Sequence, residues 1–137
     1  MQSEPPDQTF PEPIELEQQD GETIVRIELT PEFQQNLRKL AKRYRNIRFD
    51  IQPVIQEIQI GNLIGDRLTN TGKDYVVFKA RIQNRDIQKG KSAGYRLIYQ
   101  LESSTSVLLL TIYSKSDRDD ISATEVRAIL DKFYEGD

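Results

Sequence analysis

The chain has no cysteine and no histidine. Without cysteine there is no disulfide and no thiolate nucleophile, and a reducing compartment fits. Without histidine the commonest general base and the commonest metal ligand are both missing, which argues against His-based catalysis and zinc sites. No metal, cofactor or small-molecule prosthetic group is expected. No apolar run approaches the ~20 residues needed to span a bilayer. The first residues, MQSEPPDQ, carry neither the basic nor the apolar region of a secretory signal. The expected setting is cytoplasmic, with no membrane association.

What is present is charge, unevenly placed. The 137 residues hold 19 Lys and Arg against 22 Asp and Glu, a net charge of −3. Residues 1–22 carry seven acids and no cation, so they account for −7 and the rest for +4. This first segment also holds Pro5, Pro6, Pro11 and Pro13. Such a composition buries too little apolar surface to offset its ordering entropy, so disorder is expected. Ile14-Glu15-Leu16-Glu17 alternates and suits loose pairing with a sheet edge. Residues 23–137 read as one domain, mildly basic, which points to an anionic partner.

Within that domain Ile24 to Leu29 alternates as a strand. Thr30 then caps a helix whose first turn holds Pro31. Phe33, Leu37, Leu40, Ala41 and Tyr44 form its apolar face, and Arg38, Lys39, Lys42 and Arg43 the opposite one. A second helix is suggested by Ile47, Ile51, Val54, Ile55 and Ile58, and Pro53 within that pattern sets its expected start near Asp50, with Pro53 in its first turn. The pair makes a helical hairpin. A glycine-broken loop leads to a strand at Tyr75–Ile82, a polar connection at 84–94 and a strand at Tyr95–Leu101. Glu102–Ser106 reads as a turn. Val107–Tyr113 is apolar almost without alternation, as in a central strand covered on both faces. Ser122-Ala123-Thr124-Glu125 is a capping box opening a last helix with Val126, Ile129, Leu130 and Phe133 on one face. The order β-α-α-β-β-β-α predicts an α+β domain, an antiparallel sheet packed by an N-terminal helical hairpin and a C-terminal helix.

The candidate site is the cationic run from Lys79 to Arg96. It holds Lys79, Arg81, Arg85, Lys89, Lys91 and Arg96, opposed only by Asp86. Strand alternation puts Lys79 and Arg81 on one face and Arg96 with Ile98 on one face. If the two strands pair, Lys79, Arg81 and Arg96 converge. Gly90, Ser92, Ala93 and Gly94 let a backbone approach a polyanion. The plain alternative is that Arg96 pairs with an acid such as Glu28 and the loop lysines are solvated.

The segments Phe33–Tyr44, Lys89-Gly90-Lys91-Ser92-Ala93-Gly94-Tyr95-Arg96-Leu97-Ile98-Tyr99 and Leu110–Ser116 resemble the RelE/ParE toxin superfamily, and most of all its RelE/HigB-like branch. The resemblance covers roughly residues 24–132, and its most specific part is the KGKS-x-G-x-R stretch. It implies the toxin of a type II toxin–antitoxin system, a ribosome-dependent messenger RNA endonuclease neutralised by a cognate antitoxin. The ribosome and messenger RNA are the implied partners. By resemblance Arg96, Lys79 and Arg81 are the catalytic cations. Arg85, Lys89, Lys91, Lys115 and Arg118 would bind RNA. Such an enzyme without histidine relies on Lys and Arg to stabilise the phosphorane charge and to move protons. Two positions depart from the family. Ser116 stands where an Arg is expected and Ser122 where a Tyr is expected, with Lys115, Arg118 or Tyr113 as substitutes. Asp117, Asp119 and Asp120 would repel RNA, and acids also favour a helix N-terminus. These departures leave room for a catalytically diverged binding protein on the same fold, or a ParE-like gyrase inhibitor, with the acidic segment shielding the basic face.

Overall fold

The computed structural model describes residues 24–87 and 93–136. The expectations for the acidic segment and for Lys89 and Lys91 lie outside these residues. The elements are β1 (Arg26–Leu29), α1 (Pro31–Arg43), α2 (Ile47–Gln59), β2 (Asp66–Arg67), β3 (Val76–Ile82), β4 (Tyr95–Ser103), β5 (Ser106–Ser114) and α3 (Ala123–Glu135). They form an α+β domain with one five-stranded sheet in the order β1-β5-β4-β3-β2.

The sheet is mixed, not antiparallel throughout. β1 lies parallel to β5, with Arg26 opposite Ser106 and Leu29 opposite Leu109. The chain between them, which holds both hairpin helices and three further strands, supplies the long connection that parallel neighbours need. A strand that sequence reading missed, β2, pairs antiparallel with β3 through Asp66 and Lys79. Two residues are too few to show alternation. The β4–β5 turn is also tighter than expected, and only Ser104 and Thr105 lie outside the strands.

Thr30 ends β1 and caps α1 at once. Its hydroxyl accepts from the Phe33 amide at 2.9 Å and donates to the Leu110 carbonyl at 2.6 Å. α2 starts at Ile47, so Pro53 sits in its middle and not its first turn. An interior proline costs ~3 kcal/mol or more. Four buried isoleucines, Ile47, Ile51, Ile55 and Ile58, outweigh it at about 1.5–3 kcal/mol each. Ser122 caps α3 as read, accepting from the Glu125 amide at 3.1 Å. The carboxylate of Glu125 binds Arg118.

Both faces of the sheet are covered, as the apolar run of β5 required. α1 and α2 pack through Phe33, Leu37, Leu40 and Ile55 on Tyr95, Leu97, Tyr99 and Ile112. α3 packs through Val126 and Leu130 on Val77, Ile98, Leu108, Leu110 and Tyr113. Strict alternation would set Tyr113 on the face opposite Leu108, five residues away. A register shift prevents this: Ile98 opposes Thr111 but Tyr99 opposes Leu109, so Leu110 is an extra, bulged residue. The bulge re-phases the strand and turns Tyr113 to the α3 side. Among the described residues no helix is long and apolar enough to cross a membrane.

Candidate functional site

Three strands place one row of polar side chains across the α3 face of the sheet. Arg81 on β3 is the direct partner of Arg96 on β4, and Arg96 is the partner of Tyr113 on β5. Lys79 stands two residues along β3, opposite Ile98. The convergence expected of Lys79, Arg81 and Arg96 is therefore present, and Tyr113 joins it. Glu28 does not: it lies beside Leu108, five β5 positions away from Tyr113.

Arg96 is 5% exposed, and one of its guanidinium nitrogens donates to the Tyr95 carbonyl at 3.2 Å. Burial lowers its pKa, and Arg81 adds to that, while Tyr113 and Asp120 oppose it. Arg81 reaches outward with its side chain 56% exposed and meets Asp66 at 4.0 Å. Burial pushes the Tyr113 hydroxyl up to about 12, with Asp120 assisting. Tyr113 is thus a neutral hydrogen-bond donor at ordinary pH.

Asp120 is the residue that sequence reading misplaced. It was a generic helix-start acid, yet one of its oxygens gathers three donors. These are the Ile121 amide at 2.8 Å, the Tyr113 hydroxyl at 3.2 Å and the Lys79 ammonium at 3.3 Å. Burial pulls its pKa up, but the Ile121 amide, Lys79 and Tyr113 outweigh that and hold the carboxyl below the usual range. A carboxylate therefore sits against the cationic row, bound to Lys79 and Tyr113. No spacing in SKSDRDD reveals this, because Lys79 is 41 residues away.

The remaining candidate cations are spread more widely. Arg118 lies over the Tyr113 ring at 5.2 Å and grips Glu125 with two nitrogens at 2.7 and 3.1 Å. Lys115 donates to the Asp119 carbonyl at 2.9 Å. Arg85 is drawn to α2 instead, binding Asp50 at 2.7 Å and packing on Phe49. That buried Asp50 fixes Arg85 away from the row, so the two do not form one grip. Ser116 joins a hydroxyl chain, 2.9 Å from Ser114 and 3.5 Å from the Tyr44 hydroxyl. Gly94 has a structural cause: a Cβ there would stand 1.9 Å from the Ile82 carbonyl oxygen.

A cleft of about 270 Å³ opens between α1 and the end of β5, beyond the reach of β1. Its sides carry Lys39 and Arg43 on α1 and Asp117 and Arg118 after β5, with the buried Leu40 and Ile112 beneath them. Among the described residues no three acidic side chains gather as a metal site would require. No protein-family model matches the chain, and no curated protein gives a significant sequence match.

Proposed function

We propose that this α+β domain is the toxin of a type II toxin–antitoxin system, a RelE/HigB-like endonuclease that cuts messenger RNA on the ribosome. The observation that carries the reading is the Arg81–Arg96–Tyr113 row with Lys79 beside it. Two arginines in direct register repel one another, and an anion between them relieves that repulsion. In the proposed reaction the RNA 2′-oxygen bonds to the adjacent phosphorus and gives its proton to solvent, while the P–O5′ bond breaks and the 5′-oxygen takes a proton from solvent, leaving a 2′,3′-cyclic phosphate and a 5′-hydroxyl. Arg96, held rigid by burial, and Arg81 stabilise the phosphorane charge. Tyr113 and Lys79 donate to phosphate oxygens once Asp120 gives way. The ribosome positions the substrate, and a cognate antitoxin neutralises the toxin.

A second reading has its own support. Ser122 is consumed as the cap of α3 and Ser116 by its hydroxyl neighbours. Neither supplies the family's Arg or Tyr, which favours a diverged binding protein on the same fold. A reconstituted translation reaction with a defined messenger RNA separates the two. Cleavage that needs ribosomes, and that drops about 100-fold or more in Arg96→Lys and in the exposed Arg81→Gln, supports the nuclease. Salt-sensitive RNA binding without cleavage supports the binding protein. Absence of both from folded protein removes the reading.

A further inference from the structure

Four of the candidate cations on β3 and after β5 are already matched with acids: Lys79 with Asp120, Arg81 with Asp66, Lys115 with Asp119 and Arg118 with Glu125. α1 is different. From Phe33 to Arg45 the chain carries Arg38, Lys39, Lys42, Arg43 and Arg45 and no acid. Of these, Arg43 pairs with Asp117 at 2.8 Å, and Arg45 is near enough to Asp86 to help lower its pKa. Arg38, Lys39 and Lys42 lie exposed along the helix, and Lys39 also lines the cleft against β5.

The complementary charge is in the same chain. Residues 1–22 hold seven acids and no cation, and Glu12-Pro13-Ile14-Glu15-Leu16-Glu17 sets acids beside two aliphatic side chains. The exposed face of α1 offers the matching charge, and Lys39 carries it to the rim of the cleft, where Arg43 and Arg118 are already paired with Asp117 and Glu125. We propose that this acidic N-terminal segment docks on the cationic face of α1 and in the cleft between α1 and β5. Its acids meet Arg38, Lys39 and Lys42, and the alkyl stems of these side chains give Ile14 and Leu16 apolar cover.

The reach is sufficient. Arg26 lies opposite Ser106, and the cleft borders β5 at Ile112 to Ser114, six to eight residues further along. At ~3.3 Å per residue that is about 20–26 Å. An extended chain covers a similar distance per residue. Ile14, eleven positions before the buried Val25, therefore reaches the cleft, and the acids upstream of it reach Arg38 and Lys42. The inference stands on charge and reach and does not depend on RNA cleavage.

The absence of cysteine makes the test clean. The full chain with Gln8→Cys takes a single nitroxide label, and relaxation enhancement is read on the amides of a ¹⁵N-labelled sample. Strong broadening is expected on Arg38–Arg43 and Ile112–Arg118, and little on Val126–Phe133. Raising salt from about 0.02 M to about 1 M should cut the effect at least about threefold, because the screening length shrinks below contact range. The surface pair Lys39→Gln/Lys42→Gln should weaken it likewise. Even broadening over the whole domain, or broadening centred on Arg81 and Arg96, overturns the proposal. Mixing label-bearing unenriched protein with unlabelled ¹⁵N protein checks the source. Broadening of α1 in that mixture assigns the occupant to a second copy and also overturns it.

Discussion

Arg81 and Arg96 oppose each other directly across β3 and β4, two like charges in one register pair. Opposed Cβ atoms in such pairs are ~4.5–5.5 Å apart, and like charges there destabilise the sheet. Arg81 leans out toward Asp66 and solvent while Arg96 stays buried. Arg81→Gln is expected to relieve the repulsion and raise the melting temperature by about 1–4 °C. The same change should weaken binding of single-stranded RNA. A lower melting temperature would mean that the Asp66 contact outweighs the repulsion. Differential scanning calorimetry decides it.

Asp120 couples Lys79 to Tyr113, and two titrations report on it. Asp120→Asn removes the charge that disfavours the phenolate, so Tyr113 should ionise at lower pH than its value of about 12. Ultraviolet or ¹³C-tyrosine titration measures the shift. The carboxyl itself lies below its unfolded value near 3.9. Its stabilisation is therefore complete above that unfolded value and is lost as pH falls through the lower folded one. The stability gap between wild type and Asp120→Asn should be flat above about pH 5 and shrink below about pH 4. A gap that keeps growing as pH falls contradicts the assignment.

Thr30→Val removes two hydrogen bonds of different kinds. The α1 cap is worth about 1 kcal/mol, and the bulged Leu110 carbonyl loses its donor at about 1–3 kcal/mol more. Urea unfolding should show a loss of about 2–4 kcal/mol. Because the bulge sets the side on which Tyr113 lies, chemical shifts at Tyr113 and Asp120 should move as well. A loss confined to α1 would show that the bulge holds without Thr30.

Gly94→Ala should be costly although the glycine lies in a cationic loop region. The added Cβ meets the Ile82 carbonyl oxygen at 1.9 Å and the Asn84 nitrogen at 3.0 Å, and neither backbone atom can rotate away. Overpacking of this kind costs about 1–3 kcal/mol or more. Thermal unfolding checks it, and an unchanged midpoint would place the role of Gly94 in ligand approach alone.

Much of the fold was legible locally. Thr30-Pro31 named the start of α1 because a hydroxyl cap and a fixed φ act over three or four residues. The apolar run from Val107 to Tyr113 named a central strand because both of its faces had to be buried. Pro53 misled, since its local cost was set above the isoleucine pattern that begins at Ile47 and overcomes it. The candidate site was half legible: alternation grouped Lys79 with Arg81 and Arg96 with Ile98. Arg85 looked equivalent to them and was not, because Asp50, 35 residues earlier, holds it elsewhere.

The sequence by itself determined the helices, the main strands, the −7 of the first segment and the cationic run, all set by short-range periodicity and composition. Only the tertiary structure decided that β1 lies parallel to β5, that one bulged residue turns Tyr113 toward Arg96, and that Asp120 pairs with Lys79. Each of these depends on pairing between residues far apart in the chain, where register, not local preference, chooses the neighbour.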